Sequence, residues 1–281
     1  MILKRLRAVL DPDADGDLKE IIPNILRAAL NPARAQVMGK KLYRRWNDQR
    51  GHITPEQNLD WIKANLQDFV SIARRINCDL WNETVEFERR LLSRAREVIS
   101  GQQIARQGGG AYPFLYFVTR HVVPESIVET GVAAGYSSRA FLEGIRDNGK
   151  GRLFSTDFPL FRNHDPEHAI GILVDEHLKT FWELHTEGDD VGLPSIIKKI
   201  SAVDVFHYDS DKSYAGRAFA VSIVKPRLHP RSIFIMDDIQ DNSYFHDYVK
   251  MEQRADFATF QFSGKYIGLV GSLDRRQQSG L

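Results

Sequence analysis

The sequence predicts an α/β fold: a mostly parallel sheet flanked by helices, closed by an antiparallel hairpin and preceded by a helical extension. Three observations carry this. Beyond residue 122, short apolar stretches alternate with segments of helical periodicity, the rhythm of strands joined by helical crossovers. Residues 14 to about 122 show apolar positions three and four apart, the signature of amphipathic helices. Near the end, "FATFQF" and "YIGLVGSL" flank Ser263-Gly264-Lys265, two strands joined by a tight turn.

In the helical part, "DLKEIIPNILRAAL" and "AQVMGKKLYRRWNDQRG" are the first two helices, with Gly51 a stop signal. "TPEQNLDWIKANLQDFVSIARRI" opens with Thr54 as N-cap, Pro55 in the first turn and Gln57 as capping-box partner. "LWNETVEFERRLLSRAREVIS" continues the pattern, and Trp61, Phe69, Trp81 and Phe87 are spaced as core residues. "GQQIARQGGGAYPF" then breaks it, and Gly108 to Gly110 read as a hinge. The chain divides on this basis into a helical region, 1–110, and an α/β domain, 111–281.

In the second part the expected strands are Ser126–Glu129, Arg152–Asp157, Trp182–Glu187, Val203–Tyr208 and Ser232–Asp237. The expected helices are Ser137–Asn148, Ala169–Leu178, Leu193–Ile200 and Tyr214–Val224.

Composition is that of an ordinary globular chain. Its 281 residues are 42% hydrophobic and 27% charged, and 38 basic against 37 acidic side chains give no electrostatic case for nucleic acid. The one cysteine, Cys78, excludes an intrachain disulfide framework and a multi-cysteine metal site, so a reducing cytoplasm is the expectation. The first residues, "MILKRLRAVLDPDADGD", are too short an apolar run for a signal peptide. No stretch approaches the roughly 20 apolar residues that span a bilayer.

The candidate site begins at "VETGVAAGYSS", residues 128–138, a strand, a small-residue turn and a helix start. Ligands of open parallel sheets bind beyond the carboxyl ends of the strands. Gly131, Ala133 and Gly135 let a ligand lie close to the backbone, Glu129 offers an acceptor, and Asp157 at the next strand end suits the two hydroxyls of a ribose. The pattern lacks the full G-x-G-x-x-G, and a turn of small residues also serves tight helix–strand packing.

The next strand ends carry acids. Asp209 closes "VFHYD", and Asp237 and Asp238 close "IFIMDD". Three carboxylates beyond neighbouring strands repel unless compensated, and oxygen-only ligands suit Mg²⁺; solvated acids capping the following helices are the alternative. Lys212, three residues after Asp209, is either a base for a substrate hydroxyl or a surface lysine opening a helix. His207 reads as a packed or hydrogen-bonded core histidine, and Tyr112 and Tyr116 as core aromatics.

In that order, "IVETGVAAGYSSRAFLEGI", "LFSTD", "HTEGDD", "VFHYDSDKSY" and "IFIMDDI", followed by the reversed terminal hairpin, resemble a class I S-adenosylmethionine-dependent methyltransferase. More narrowly they resemble the bacterial metal-dependent sugar and macrolide O-methyltransferases of natural product biosynthesis. The resemblance covers about residues 111 to 272 and implies a Rossmann-like sheet. It implies that Glu129, Gly131, Ala133, Gly135 and Ser137 surround the methionine end of the cofactor, that Asp157 binds its ribose, and that Gly188 and Asp189 lie near its adenine. Asp209, Asp237 and Asp238 match the metal ligands. At Lys212 the related members carry histidine, whereas lysine at that spacing resembles the catechol O-methyltransferases.

The resulting expectation is Mg²⁺-assisted methylation of a hydroxyl on a small molecule with vicinal oxygens, with the helical first third as a cover over the acceptor site or a homo-oligomer interface. A metal-independent methyltransferase is the nearest rival. A nicotinamide-dependent oxidoreductase and a non-catalytic binding protein are more distant ones.

Overall fold

The structure, a computed structural model, describes residues 18–48, 51–100, 110–160 and 165–274. The basic start of the chain and residues 101–109 of the expected hinge lie outside the described residues.

The helical part comprises α1 (Leu18–Ala29), α2 (Pro32–Trp46), α3 (Pro55–Ala64), α4 (Phe69–Ile76), α5 (Cys78–Ile99) and α6 (Tyr112–Val122). The expected capping box starts α3: the Gln57 backbone N–H donates to Thr54 Oγ1, and the Thr54 N–H donates to the Gln57 side chain. Trp81 and Phe87 are buried as expected; Trp61 and Phe69 are half-buried in aromatic clusters.

The α/β part runs β1 (Ser126–Thr130), α7 (Tyr136–Asn148), β2 (Arg152–Thr156), β3 (Trp182–His185), α8 (Asp189–Lys199), β4 (Val203–Tyr208), α9 (Tyr214–Val224), β5 (Leu228–Met236), α10 (Tyr244–Met251), β6 (Phe257–Phe262) and β7 (Lys265–Val270). These form one seven-stranded sheet in the order β3-β2-β1-β4-β5-β7-β6, parallel from β3 to β5 and antiparallel at β7 and β6. Alternation along each strand divides two cores. Ile127, Val205, Ile233 and Ile235 face α5, α6 and α7; Val128, Phe206, Phe234 and Met236 face α8, α9 and α10.

Three expectations are corrected. Residues 169–174 form turns in place of an α-helix, followed by a 3₁₀ helix at Glu176–Phe181. Gly171 has φ +68°, and a Cβ there would lie 2.4 Å from the Trp182 ring, so the segment cannot be helical at its centre. Its backbone has another partner: Gly171 N–H donates to Ala133 O at 2.8 Å and Leu173 N–H to Ala134 O at 3.0 Å. The fifth strand begins at Leu228, four residues before the expected Ser232, because an irregular register between Val203 and Val205 accommodates Pro230. α8 also starts earlier, at Asp189, where two acids suit the positive end of the helix.

The N-terminal segment crosses the carboxyl ends of the strands like a strap. Val37 of α2 meets Phe158 beyond β2, and Arg44 grips Asp190 in α8 with two bonds of 2.9 and 2.8 Å. Asp48 then accepts the Tyr214 N–H at the start of α9, and the His52 N–H donates to Ser243 beyond β5. Buried Asn58 donates to the carbonyls of Ile239 and Asn242. The loops beyond β2, β3, β4 and β5 are thereby tied to residues 37–48 and 52–58.

Candidate active site

Gly131 leaves β1 at φ +81°, and a Cβ there would stand 2.1 Å from the carbonyl oxygen of Asp209. Only glycine permits that approach of the β1 turn to the end of β4. Ala133 is also left-handed, at φ +47°, a conformation costing a residue with a Cβ about 1–2 kcal/mol. It is held there from two sides: its N–H donates to Asp157 Oδ2 at 2.7 Å and its carbonyl accepts from Gly171. Gly135 caps α7 at φ +95°.

Glu129 is fully buried. Its Oε1 accepts from Ser137 Oγ at 2.6 Å, and its Oε2 from Ser138 Oγ at 2.6 Å and Ser155 Oγ at 2.7 Å. This carboxylate locks the end of β1 to the start of α7 and to β2. Oε1 retains one lone pair, and His207 Nδ1 lies 3.9 Å from it.

Asp157 accepts the N–H of Phe158 as well as that of Ala133. Burial pushes its pKa up to about 6, against the pull of those two N–H groups and the charge of Lys41. Gly188, at φ +89°, abuts Val37 and Phe158, and Asp189 accepts from Thr156 Oγ1 at 2.5 Å and from Ser210 Oγ. Burial raises the Asp189 pKa, opposed chiefly by Lys41. Thus α2 brings both an apolar residue and a positive charge to the acids beyond β2 and β3, a contribution hidden in sequence because α2 precedes the sheet by some eighty residues.

Asp209, Asp237 and Asp238 converge: each offers a carboxylate oxygen, all within 4.8 Å of one another. Their spread over β4 and β5 follows from the parallel pairing of Tyr208 with Met236. Asp237 Oδ2 accepts the Gly110 N–H at 3.1 Å, while its Oδ1 is buried with no hydrogen-bond partner among the described residues. Burial, then the neighbouring charge of Asp209, pushes the Asp237 pKa up to about 7. Asp238 turns the chain at φ +54° and is held far below its ordinary value: burial works upward, but the ammonium groups of Lys212 and Lys265 more than offset it. Lys212 Nζ contacts Asp209 Oδ1 and lies 2.7 Å from Asp238 Oδ2; Lys265 Nζ lies 3.1 Å from the same oxygen. Burial alone would lower the Lys212 pKa, yet the three carboxylates raise it, so in this arrangement Lys212 is firmly a cation.

The structure therefore brings Lys212 together with the three acids and places the β1 turn directly beside them through Gly131 and Asp209. It adds three residues that sequence reasoning missed. Lys265 reaches across from the terminal hairpin. Buried Arg217 donates to the Asp238 carbonyl at 2.7 Å and so helps hold that turn. Gly110, at φ +73°, carries the end of the expected hinge into the site. Among the other histidines, His229 pairs with Asp204 at 3.1 Å and His246 with Asp247 at 2.8 Å. Tyr112 and Tyr116 are buried, as expected of core aromatics.

Residues 128–239 match a protein family described as "Methyltransferase domain". Among solved structures, a candidate caffeoyl-CoA O-methyltransferase from Staphylococcus aureus is similar at 12% identity and TM-score 0.50, covering 68% of this chain and 99% of that one. An O-methyltransferase from Bacillus cereus with bound S-adenosylhomocysteine is 15% identical, with TM-score 0.48 and coverage of 75% and 100%. TomG of Streptomyces achromogenes, an O-methyltransferase of tomaymycin synthesis solved with S-adenosylmethionine, is 14% identical, with TM-score 0.48 and coverage of 65% and 89%. No curated protein sequence matches the chain. Residues 128–239 thus match a methyltransferase domain, and the seven-stranded sheet with its reversed hairpin has the Rossmann-like fold found in the O-methyltransferases.

Proposed function

We propose that the protein transfers the methyl group of S-adenosylmethionine to a hydroxyl oxygen of a small molecule carrying vicinal oxygens, a sugar, a glycosylated natural product or a catechol-like ring, with Mg²⁺ or a similar divalent cation bound. The observation that carries this reading is the convergence of Asp209, Asp237 and Asp238 beside the β1 turn, with Asp237 Oδ1 buried and without a hydrogen-bond partner among the described residues. An oxygen-only set with one orphaned oxygen fits a hard cation. Such a cation supplies positive charge that lowers the pKa of a chelated hydroxyl.

The chain's own residues do the rest. Gly131 and Gly135 let the donor approach the backbone, Glu129, Ala133 and Ser137 line its amino-acid end, Asp157 accepts from its ribose, and Gly188 and Asp189 border its adenine. Lys212 is tied to Asp209 and Asp238 as a cation; once those carboxylates are engaged elsewhere, its ammonium loses the charges that hold its proton, and it can exchange a proton with the acceptor oxygen. The region 1–110 serves as the cover of the 111–281 domain, and a second copy of the chain is a candidate partner for it. No helix of the described residues is long and apolar enough to cross a membrane; a cytoplasmic setting agrees with a lone, exposed cysteine.

One observation favours a second reading. Lys212 and Lys265 already place two positive charges on the acidic cluster, the compensation a metal-independent transferase would need. Methyl transfer from S-adenosylmethionine to catechols and sugar diols, assayed with Mg²⁺ and with EDTA, separates the two. Activity abolished by EDTA and by Asp238→Ala supports the metal reading. Activity that survives EDTA but is lost in Lys212→Ala supports the second.

A further inference from the structure

The sheet holds together only the first residues of the two turns that carry the acidic cluster. β4 and β5 run in register to Tyr208 and Met236, and the Asp237 N–H then donates to the Tyr208 carbonyl at 2.9 Å. Beyond that bond, Asp209 and Lys212 follow one turn into α9, while Asp238 follows the other toward α10. Asp238 also sits at φ +54°, a left-handed conformation that a residue with a Cβ leaves unless its surroundings hold it.

Two side chains cross between these turns in opposite directions. Arg217, near the start of α9, donates from Nη2 to the Asp238 carbonyl at 2.7 Å. Asn242, just before α10, donates from Nδ2 to the Lys212 carbonyl at 2.7 Å. The two carbonyls belong to the residues whose side chains meet, with Lys212 Nζ 2.7 Å from Asp238 Oδ2. Each donor is anchored at its own end. Ser213 Oγ accepts the Gly216 N–H at 3.0 Å and Asp211 Oδ1 accepts the Ser213 N–H at 3.1 Å, which fixes the start of α9. Asn242 Oδ1 accepts the Tyr244 N–H at 3.1 Å, and its carbonyl accepts from Asn58 at 3.1 Å. Packing does not explain an arginine at 217. The side chain is fully buried, and its Nε and Nη1 have no hydrogen-bond partner among the described residues. It therefore carries the desolvation cost of a charge, where an apolar side chain would fill the volume with less loss.

We propose that Arg217 and Asn242 are positioning residues for the cation site: their reciprocal bonds set the separation of Asp209 and Lys212 on one turn from Asp238 on the other. This rests on the cation reading above and adds to it two residues outside the carboxylate set. With either bond removed, the three carboxylates remain but spread over more conformations, so a cation binds more weakly. The β1 turn has its own partners and is not loosened by the change.

The test titrates Mg²⁺ and, separately, S-adenosylhomocysteine into the full chain and three variants by calorimetry. Arg217→Met keeps the length and removes the donors, and Arg217→Lys restores a donor and the charge. Asn242→Ser keeps an acceptor for the Tyr244 N–H and is too short to reach the Lys212 carbonyl. Mg²⁺ affinity should fall about ten-fold or more in Arg217→Met and in Asn242→Ser, with partial recovery in Arg217→Lys. Affinity for S-adenosylhomocysteine should stay within about two-fold of wild type in all three. Unchanged Mg²⁺ affinity in Arg217→Met or Asn242→Ser overturns the proposal, and so does an equal fall for both ligands, the outcome of general loosening. Should Arg217→Met fail to fold, Arg217→Lys and Asn242→Ser decide on the same criterion. A wild-type chain that binds S-adenosylhomocysteine but no Mg²⁺ overturns the cation reading alone. Metal-free crystal structures then judge the positioning: the Lys212–Asp238 contact should be lost in Arg217→Met and in Asn242→Ser, and its survival in both is the contrary result.

Discussion

At the scale of single residues, the β1 turn depends on backbone that only certain side chains allow. Gly131→Ala combines a left-handed φ with a Cβ 2.1 Å from a backbone carbonyl, so either β1 or the end of β4 must move. Unfolding in urea should show a loss of about 3 kcal/mol or more, with binding of S-adenosylhomocysteine abolished. Asp157 makes a different prediction. Its folded pKa of about 6 exceeds the ordinary 3.8, so the folded protein binds the extra proton. The stability this contributes is fully present below pH 3.8 and is lost as pH rises through 6, about 3 kcal/mol in all. Asp157→Asn mimics the protonated form, so wild type should lose stability relative to the variant between pH 4 and 7. A pH-independent difference in melting temperature would show that Asp157 is not a strained, buried acid. The strand-end acids were legible in sequence because acids closing successive apolar strands are conspicuous. Lys265, Arg217 and Gly110 were not: each meets Asp237 or Asp238 across 21 or more residues of sequence, and pairing between elements leaves no local pattern.

At the scale of elements, β4 and α9, and β1 and β2 to within one residue at their ends, follow from periodicity, because these segments are short, apolar and bounded by turn residues. The segment 169–174 misled because its apolar spacing is helical while Gly171 is required against Trp182. Its real role, donating to the carbonyls of Ala133 and Ala134, is a tertiary one that propensity does not encode. The strap contact most open to test is Arg44 with Asp190, whose carboxylate is 2% exposed. In Arg44→Ala that carboxylate keeps, among the described residues, the looser ion pair with Lys40, 3.4 Å away. The change should cost about 2 kcal/mol and speed amide hydrogen exchange in Pro32–Trp46 while leaving β4 and β5 protected. Uniform exchange along the chain would mean that α2 is not separately latched.

At the scale of the whole molecule, the parallel sheet brings a glycine turn, the buried acid Asp157 and a three-carboxylate cluster to one edge, and residues 37–48 and 52–58 tie together the loops beyond β2, β3, β4 and β5. The order of motifs along the chain was sufficient to expect this sheet, because in a parallel sheet successive strand ends share one edge. The course of the helical first third was not legible, since amphipathic helices show that they bury a face but not which surface buries it. The central claim is that this edge holds a methyl donor beside a divalent cation. Calorimetric titration of S-adenosylhomocysteine and, separately, Mg²⁺ into the wild-type chain and Asp238→Ala tests it most directly. Micromolar binding of S-adenosylhomocysteine by both proteins, with Mg²⁺ binding confined to wild type, is the predicted result. Absence of S-adenosylhomocysteine binding to the wild-type chain would contradict it.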